Sequence, residues 1–170
     1  KGNARAMCVI GDRFARGIGV RRNQYQALEW YNKAVKEEYA PAYRHIGVLY
    51  ARHVRYAPNF KEAAKWFRKA ADDGDARGMC ELAECYFNGW GVSRSPRKGL
   101  AWYVEAAESG YTRAYYKVGL RYLEGDGFAR DVDEAVNYFH QGAVAGDTDS
   151  MRQLGEMHKR GQLVGADPRK

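Results

Sequence analysis

The 170 residues include 28 Lys and Arg against 21 Asp and Glu, a formal net charge of +7, and 45% of them are hydrophobic with 14% aromatic, which supplies a folded core and excludes a disordered chain. The longest apolar runs span a few residues, far short of the roughly 20 that a membrane-spanning helix needs, and no secretory apolar segment is present, so a soluble chain without a membrane span is expected. Three cysteines without a CxxC pair and four scattered histidines (His45, His53, His140, His158) argue against a disulfide framework, a metal site and a cofactor.

From the N-terminus, Met7, Ile10, Gly11 and Phe14 fall at i, i+3, i+4 and i+7 and predict a helix over 4–16. Ala27, Trp30, Tyr31 and Ala34 repeat that spacing and predict a second helix over 24–37. The same columns then return every 36 residues: Ile10-Gly11, Ile46-Gly47, Leu82-Ala83, Val118-Gly119 and Leu154-Gly155. Trp30, Trp66, Trp102 and Tyr138 keep the register, as do Tyr31, Phe67, Tyr103 and Phe139. Nothing is inserted or deleted between them. The predicted helix pairs therefore occupy units 4–39, 40–75, 76–111 and 112–147, with a partial fifth over 148–170. The chain starts at Lys1 without an initiator Met and stops where another second helix would begin, so it is expected to be a fragment of a longer one.

The position before each second helix reads Asn23, Asn59, Ser95, Asp131 and Asp167, all residues whose side chains accept hydrogen bonds from free N–H groups at a helix start. Glu62 and Glu134 stand three residues on, as in a capping box, and Pro96 and Pro168 occupy the first helical position. The GxG loops at Gly17–Gly19, Gly89–Gly91 and Gly125–Gly127 resemble phosphate loops one at a time. A dinucleotide motif also needs a preceding strand and a third glycine in register, and neither is present, so the glycines are expected to serve as turns.

One helix pair cannot bury both inner faces, so successive pairs must stack. The predicted fold is all-α, a right-handed α/α superhelix of 36-residue helix-turn-helix repeats. Its core is expected along Trp30, Trp66, Trp102 and Tyr138, with the small residues at 11, 47, 83, 119 and 155 admitting the facing helix.

The run A-x-x-M-x-x-L-A-x-x-Y-x-x-G-x-G-V at 76–92, followed by A-W-Y-x-x-A-A-x-x-G at 101–110, resembles the Sel-one-like repeat, a relative of the tetratricopeptide repeat. The resemblance covers nearly the whole chain. It implies a superhelix whose first helices line the concave side, and a role as an adaptor or scaffold in protein complexes rather than as an enzyme. The cysteine pairs that link the helices of one subfamily are absent here, and the "HVRYAPN" segment at 53–59 replaces the glycine loop of the second unit.

On the first helices, Arg5, Val9, Asp12 and Arg16 and their 36-residue equivalents lie opposite the core stripe. The candidate partner-binding residues are Arg5, Arg13, Arg16, Arg44, His45, Arg52, Tyr116, Lys117 and Arg121, because guanidinium groups hold carboxylates and aromatics supply anchoring area. Net charge is +4 over residues 1–39, +3 over 40–75, 0 over 76–111, −2 over 112–147 and +2 over 148–170, so the basic first half predicts a protein or peptide partner with an acidic surface. Reversing Arg5, Arg16, Arg44 and Arg52 is expected to weaken that partner and leave the fold intact. One alternative is an immunity or inhibitor-type binder of a secreted toxin or enzyme. Another is a nucleic-acid binder using the basic half, which the interspersed Asp and Glu and the lack of a recognised motif disfavour.

Overall fold

Three of the predicted caps close helices in the computed structural model, which describes residues 2–52 and 58–161. The Asn23 side chain accepts N–H bonds from Tyr25 (3.0 Å) and Gln26 (3.2 Å), Asn59 from Glu62 (3.1 Å) and Asp131 from Glu134 (2.9 Å). Ser95 precedes its helix without a side-chain cap bond, and Pro96 takes the first helical position. The reciprocal half of the capping box is not made. The N–H groups of Asn59 and Asp131 go instead to the carbonyls of Tyr50 (2.9 Å) and Tyr122 (3.0 Å), as that of Asn23 goes to Phe14 (2.9 Å). Each of these bonds ties the start of a second helix to the end of the first. Asp167, Pro168 and residues 53–57 of the "HVRYAPN" segment lie outside the described residues.

Nine helices and no strand are present among the described residues: α1 (Gly2–Arg16), α2 (Gln24–Lys36), α3 (Pro41–Ala51), α4 (Phe60–Asp72), α5 (Ala76–Asn88), α6 (Pro96–Glu108), α7 (Arg113–Glu124), α8 (Val132–Val144) and α9 (Thr148–Lys159). They group into two compact units, Lys1–Arg94 and Ser95–Lys170. In the first, α1 packs on α2 and α3 on α4, α2 and α4 reach forward to α3 and α5, and the first helices α1, α3 and α5 also touch in turn. In the second, α6, α7, α8 and α9 pack in succession, and α7 also meets α9. None of these helices is long and apolar enough to cross a membrane.

The core does not follow the tryptophan column. Trp30, Trp66, Trp102 and Tyr138 are only half-buried, whereas Tyr31, Phe67, Tyr103 and Phe139, one residue later, are enclosed at 3% exposure or less. Adjacent helical positions differ by about 100° in direction, and only the later one points at the small residue of the paired first helix. A Cβ on Gly47 would stand 2.6 Å from the Phe67 ring, and one on Gly11 or Gly119 would overlap the ring of Tyr31 or Phe139. The small column therefore does admit the facing helix, but for a different aromatic. The displaced rings cover the seam: Trp66 stacks on Tyr43 (5.9 Å between centroids) and Tyr138 on Tyr122 (5.7 Å). Lys33 and Lys69 place their ammonium groups 4.1 and 4.6 Å from the Trp30 and Trp66 centroids.

Two of the GxG loops, at Gly91 and Gly127, seat one repeat on another. Gly91 and Gly127 have φ of 71° and 78°, a left-handed conformation that costs glycine little. A Cβ on Gly127 would stand 2.7 Å from Pro96 Cγ, and one on Gly91 would overlap the Phe60 carbonyl. Each loop thus rests on the first residue of the preceding second helix, and Trp90 stacks on Phe60 at 5.2 Å.

Candidate functional site

The first helices of unit Lys1–Arg94 bring side chains spaced 36 residues apart onto one face. Between them lies a cleft of about 310 Å³. Asp12, Ala15 and Arg16 of α1 form one wall, Arg44, His45, Val48 and Leu49 of α3 with Arg52 the other, and Glu81 of α5 stands beyond. The rings of Tyr31 and Phe67 lie beneath.

A polar chain runs along this cleft. The Tyr31 hydroxyl donates to Asp12 Oδ1 at 2.7 Å, and His45 Nδ1 approaches the same oxygen at 3.0 Å. Arg44 Nη2 stands 3.2 Å from His45 Nε2, and Arg44 Nε donates to Asp75 Oδ2 at 3.0 Å. A guanidinium can only donate, so His45 Nε2 accepts and Nδ1 carries the proton given to Asp12. The imidazole also stacks on Tyr31 at 5.2 Å. Burial favours the neutral form of Asp12, but the hydrogen bonds from His45 and Tyr31, with the charge of Arg16, together hold its carboxyl below the usual range. Burial, and then the adjacent Asp12, push the Tyr31 phenol up, and the same two causes push the Cys8 thiol up to about 11.

Arg16, Arg44, His45 and Arg52 therefore share one cleft. Arg5 and Arg13 are exposed on α1 and do not line it. The predicted freedom of Arg44 is not observed: its guanidinium is held by Asp75, and the two side chains are 16% and 10% exposed. Reversing Arg44 would set two carboxylates against each other, so it cannot serve in a test meant to leave the fold intact. Three contributors escaped the candidate set: Asp12, Tyr31 and Asp75. Asp12 stands in the predicted groove row. Tyr31 carries a hydroxyl where Phe67 and Phe139 have none, a difference visible in the sequence.

In unit Ser95–Lys170 the remaining candidates are differently engaged. Tyr116 tilts against Phe139 (5.9 Å) and bonds Arg152, and Lys117 is half-buried. Arg121 donates to Glu124 at 2.8 Å, and Arg113 and Arg152 reach Asp149 at 3.6 and 3.4 Å. Among the described residues no cluster of three or more His, Cys, Asp or Glu is placed to hold a metal ion.

The family model of the Sel1 repeat matches residues 4–39, 40–75, 76–111, 112–147 and 148–170. Among solved structures, a Sel1 repeat protein from Oxalobacter formigenes is 33% identical with a TM-score of 0.82, over 94% of this chain and 65% of that one. The protective antigen c5321 of uropathogenic Escherichia coli, which displays the same repeat fold, is 28% identical with a TM-score of 0.74, over 94% of this chain and 34% of its own. Immunity protein Pa5087 from Pseudomonas aeruginosa, 20% identical with a TM-score of 0.63 over 86% of this chain and 54% of its own, shares the fold. The chain thus spans less than two thirds of the length of each of these proteins. No curated protein sequence matches it. The 36-residue period, the paired helices and the agreement of all five matched segments place the chain in the Sel1 repeat family, an all-α repeat superhelix whose members generally mediate protein–protein interaction.

Proposed function

We propose that this chain is a non-enzymatic interaction scaffold that grips a protein partner with an acidic surface through the cleft of its first three first-helices. The observation that carries it is the pair of exposed guanidinium groups on the cleft rim. Arg16 and Arg52 are exposed there and make no ion pair among the described residues. A guanidinium held near an apolar floor gains more from a partner carboxylate than one already paired in water, and it also raises the rate of encounter with an acidic surface. The Val48 and Leu49 side chains supply the apolar contact that such a pair needs around it. Likeness to immunity proteins extends to the fold alone, and the basic residues of the first half are interspersed with Asp and Glu along the sequence, so the scaffold role is preferred to the immunity and nucleic-acid roles.

The test is affinity capture from the native source with the wild-type protein and with an Arg16→Glu/Arg52→Glu variant of unchanged melting temperature. Proteins retained by the first and lost by the second support the cleft. An identical set retained by both removes the cleft from the function.

A further inference from the structure

Each described first helix after α1 packs on the second helix of the repeat before it: α3 on α2 and α5 on α4 in unit Lys1–Arg94, α7 on α6 and α9 on α8 in unit Ser95–Lys170. The closest approach falls in one column. A Cβ on Gly78 would stand 2.6 Å from Ala70 Cβ, and one on Gly142 would overlap the Ser150 side chain. Ala42, Ala114 and Ser150 are fully enclosed and Gly78 is buried, but Ala6, the same position of α1, is exposed.

The loop after α1 repeats the contrast. Gly19 has the left-handed φ of Gly91 and Gly127, 72° against 71° and 78°, yet no described atom lies within 4 Å of a Cβ built on it, whereas those two loops rest on Phe60 and Pro96, the first residues of second helices. Its neighbours Ile18 and Val20 are 55% and 38% exposed, and Trp90, the equivalent of Ile18, stacks on Phe60. Helix and loop are therefore shaped alike for one element, a second helix.

No described helix of a second copy can supply it, because the matching faces of α2, α4, α6 and α8, which carry Ala34, Ala70, Ala106 and Gly142, are buried under the first helix that follows. The sequence points to another source. Gly2 keeps the 36-residue column of Glu38, Gly74, Gly110 and Gly146, whose positive φ (54°, 83°, 87° and 88°) turns each second helix into the next first helix. Such a residue belongs at the end of a second helix.

We infer that the outer face of α1 and the Gly17–Gly19 loop seat the second helix of a further repeat joined directly ahead of Gly2 in the same polypeptide. By the spacing of Ala70 to Gly74, Ala106 to Gly110 and Gly142 to Gly146, that helix carries a small residue four positions before Gly2, packed on Ala6. By the spacing of Phe60 to Gly74 and Pro96 to Gly110, it begins fourteen positions before Gly2, against the Gly17–Gly19 loop. Continuing the core across this joint covers Ala6, Ile18 and Val20, whatever the cleft binds.

The test compares the chain with an extended form in which a copy of residues 76–111 is joined to Ala4, so that the period is kept, each with and without Ala6→Glu. Urea midpoints, hydrogen exchange of the α1 amides and size-exclusion light scattering are measured on all four. The added copy is expected to slow exchange in α1 at least about ten-fold, because opening α1 then also exposes the new interface. Ala6→Glu should leave the midpoint of the unextended chain unchanged and lower that of the extended form. Exchange in α1 unaltered by the extension, an extension that adds no helical circular dichroism, or Ala6→Glu tolerated equally in both forms overturns the inference. So does an unextended chain that dimerises and becomes monomeric on Ala6→Glu, since the face would then belong to a second copy.

Discussion

Asp12 is the side chain on which the cleft depends. It is the shared acceptor of the Tyr31 hydroxyl and His45 Nδ1, and it keeps a carboxyl below the ordinary range despite burial that opposes this. A folded value below the unfolded one contributes stability above the unfolded pKa of about 3.9, and that contribution is lost as pH falls through the folded value. Asp12→Asn keeps one acceptor oxygen but removes the charge. It is expected to lower unfolding free energy by about 1 to 2 kcal/mol at pH 7, with the gap narrowing below about pH 4 in urea titrations. A gap constant from pH 7 to pH 2.5 would show that the charge is irrelevant. The cysteines follow a parallel logic. Burial first, then nearby acids, push Cys8 and Cys85 up to about 11 and about 12, while Cys80 is half-buried. At pH 8 the folded protein should therefore expose no more than one rapidly reacting thiol to Ellman's reagent, and three after unfolding in guanidinium.

At the level of the helix pair, stability concentrates where an enclosed ring meets a glycine. Phe67 is 3% exposed against Gly47, whereas Trp66 is half-buried and stacked on Tyr43. Phe67→Ala is expected to cost about 3 to 5 kcal/mol, the range for a buried aromatic, and Trp66→Ala distinctly less, in the same denaturant titration. Equal losses would return the tryptophan column to the core. Gly47→Ala gains about 1 kcal/mol of helix propensity but drives a methyl into the Phe67 ring, so it should destabilise by about 1 to 3 kcal/mol. At the equivalent Gly155 no described atom lies within 4 Å of the added Cβ, and Gly155→Ala should be neutral or mildly stabilising. Opposite outcomes from the same substitution at equivalent repeat positions would isolate the ring contact from propensity.

Across the whole chain the charge is uneven, +4 over residues 1–39 and +3 over 40–75 against −2 over 112–147, and its use is uneven as well. Arg44 serves the fold through Asp75, and Arg44→Glu should lower stability by about 3 kcal/mol because it leaves two largely buried carboxylates together. Arg16→Glu and Arg52→Glu break no pair among the described residues, and their melting temperatures should lie close to that of the parent. Differential scanning fluorimetry separates the two cases. An Arg44→Glu protein that melts like the parent would mean that the Asp75 contact contributes nothing in solution.

What the sequence determined by itself is local and periodic. Helix boundaries, the caps at Asn23, Asn59 and Asp131, the glycine turns and the 36-residue unit were legible because each depends on residues within one or two turns of one another. The repeat then multiplied every weak signal by the number of units. Only the tertiary structure decided which of two neighbouring aromatic columns is core. Trp66 and Phe67 both belong to the apolar stripe, and the choice rests on where the Gly47 face of the partner helix points. It also decided which arginines are available. Arg44 finds Asp75 across 31 residues of sequence, and His45 finds Asp12 across 33, because stacked helices bring together side chains that no local spacing relates. Arg16 and Arg52 lie on the same rows, yet neither makes an ion pair among the described residues. Identical side chains at periodic positions thus acquire different roles from the neighbours that packing supplies.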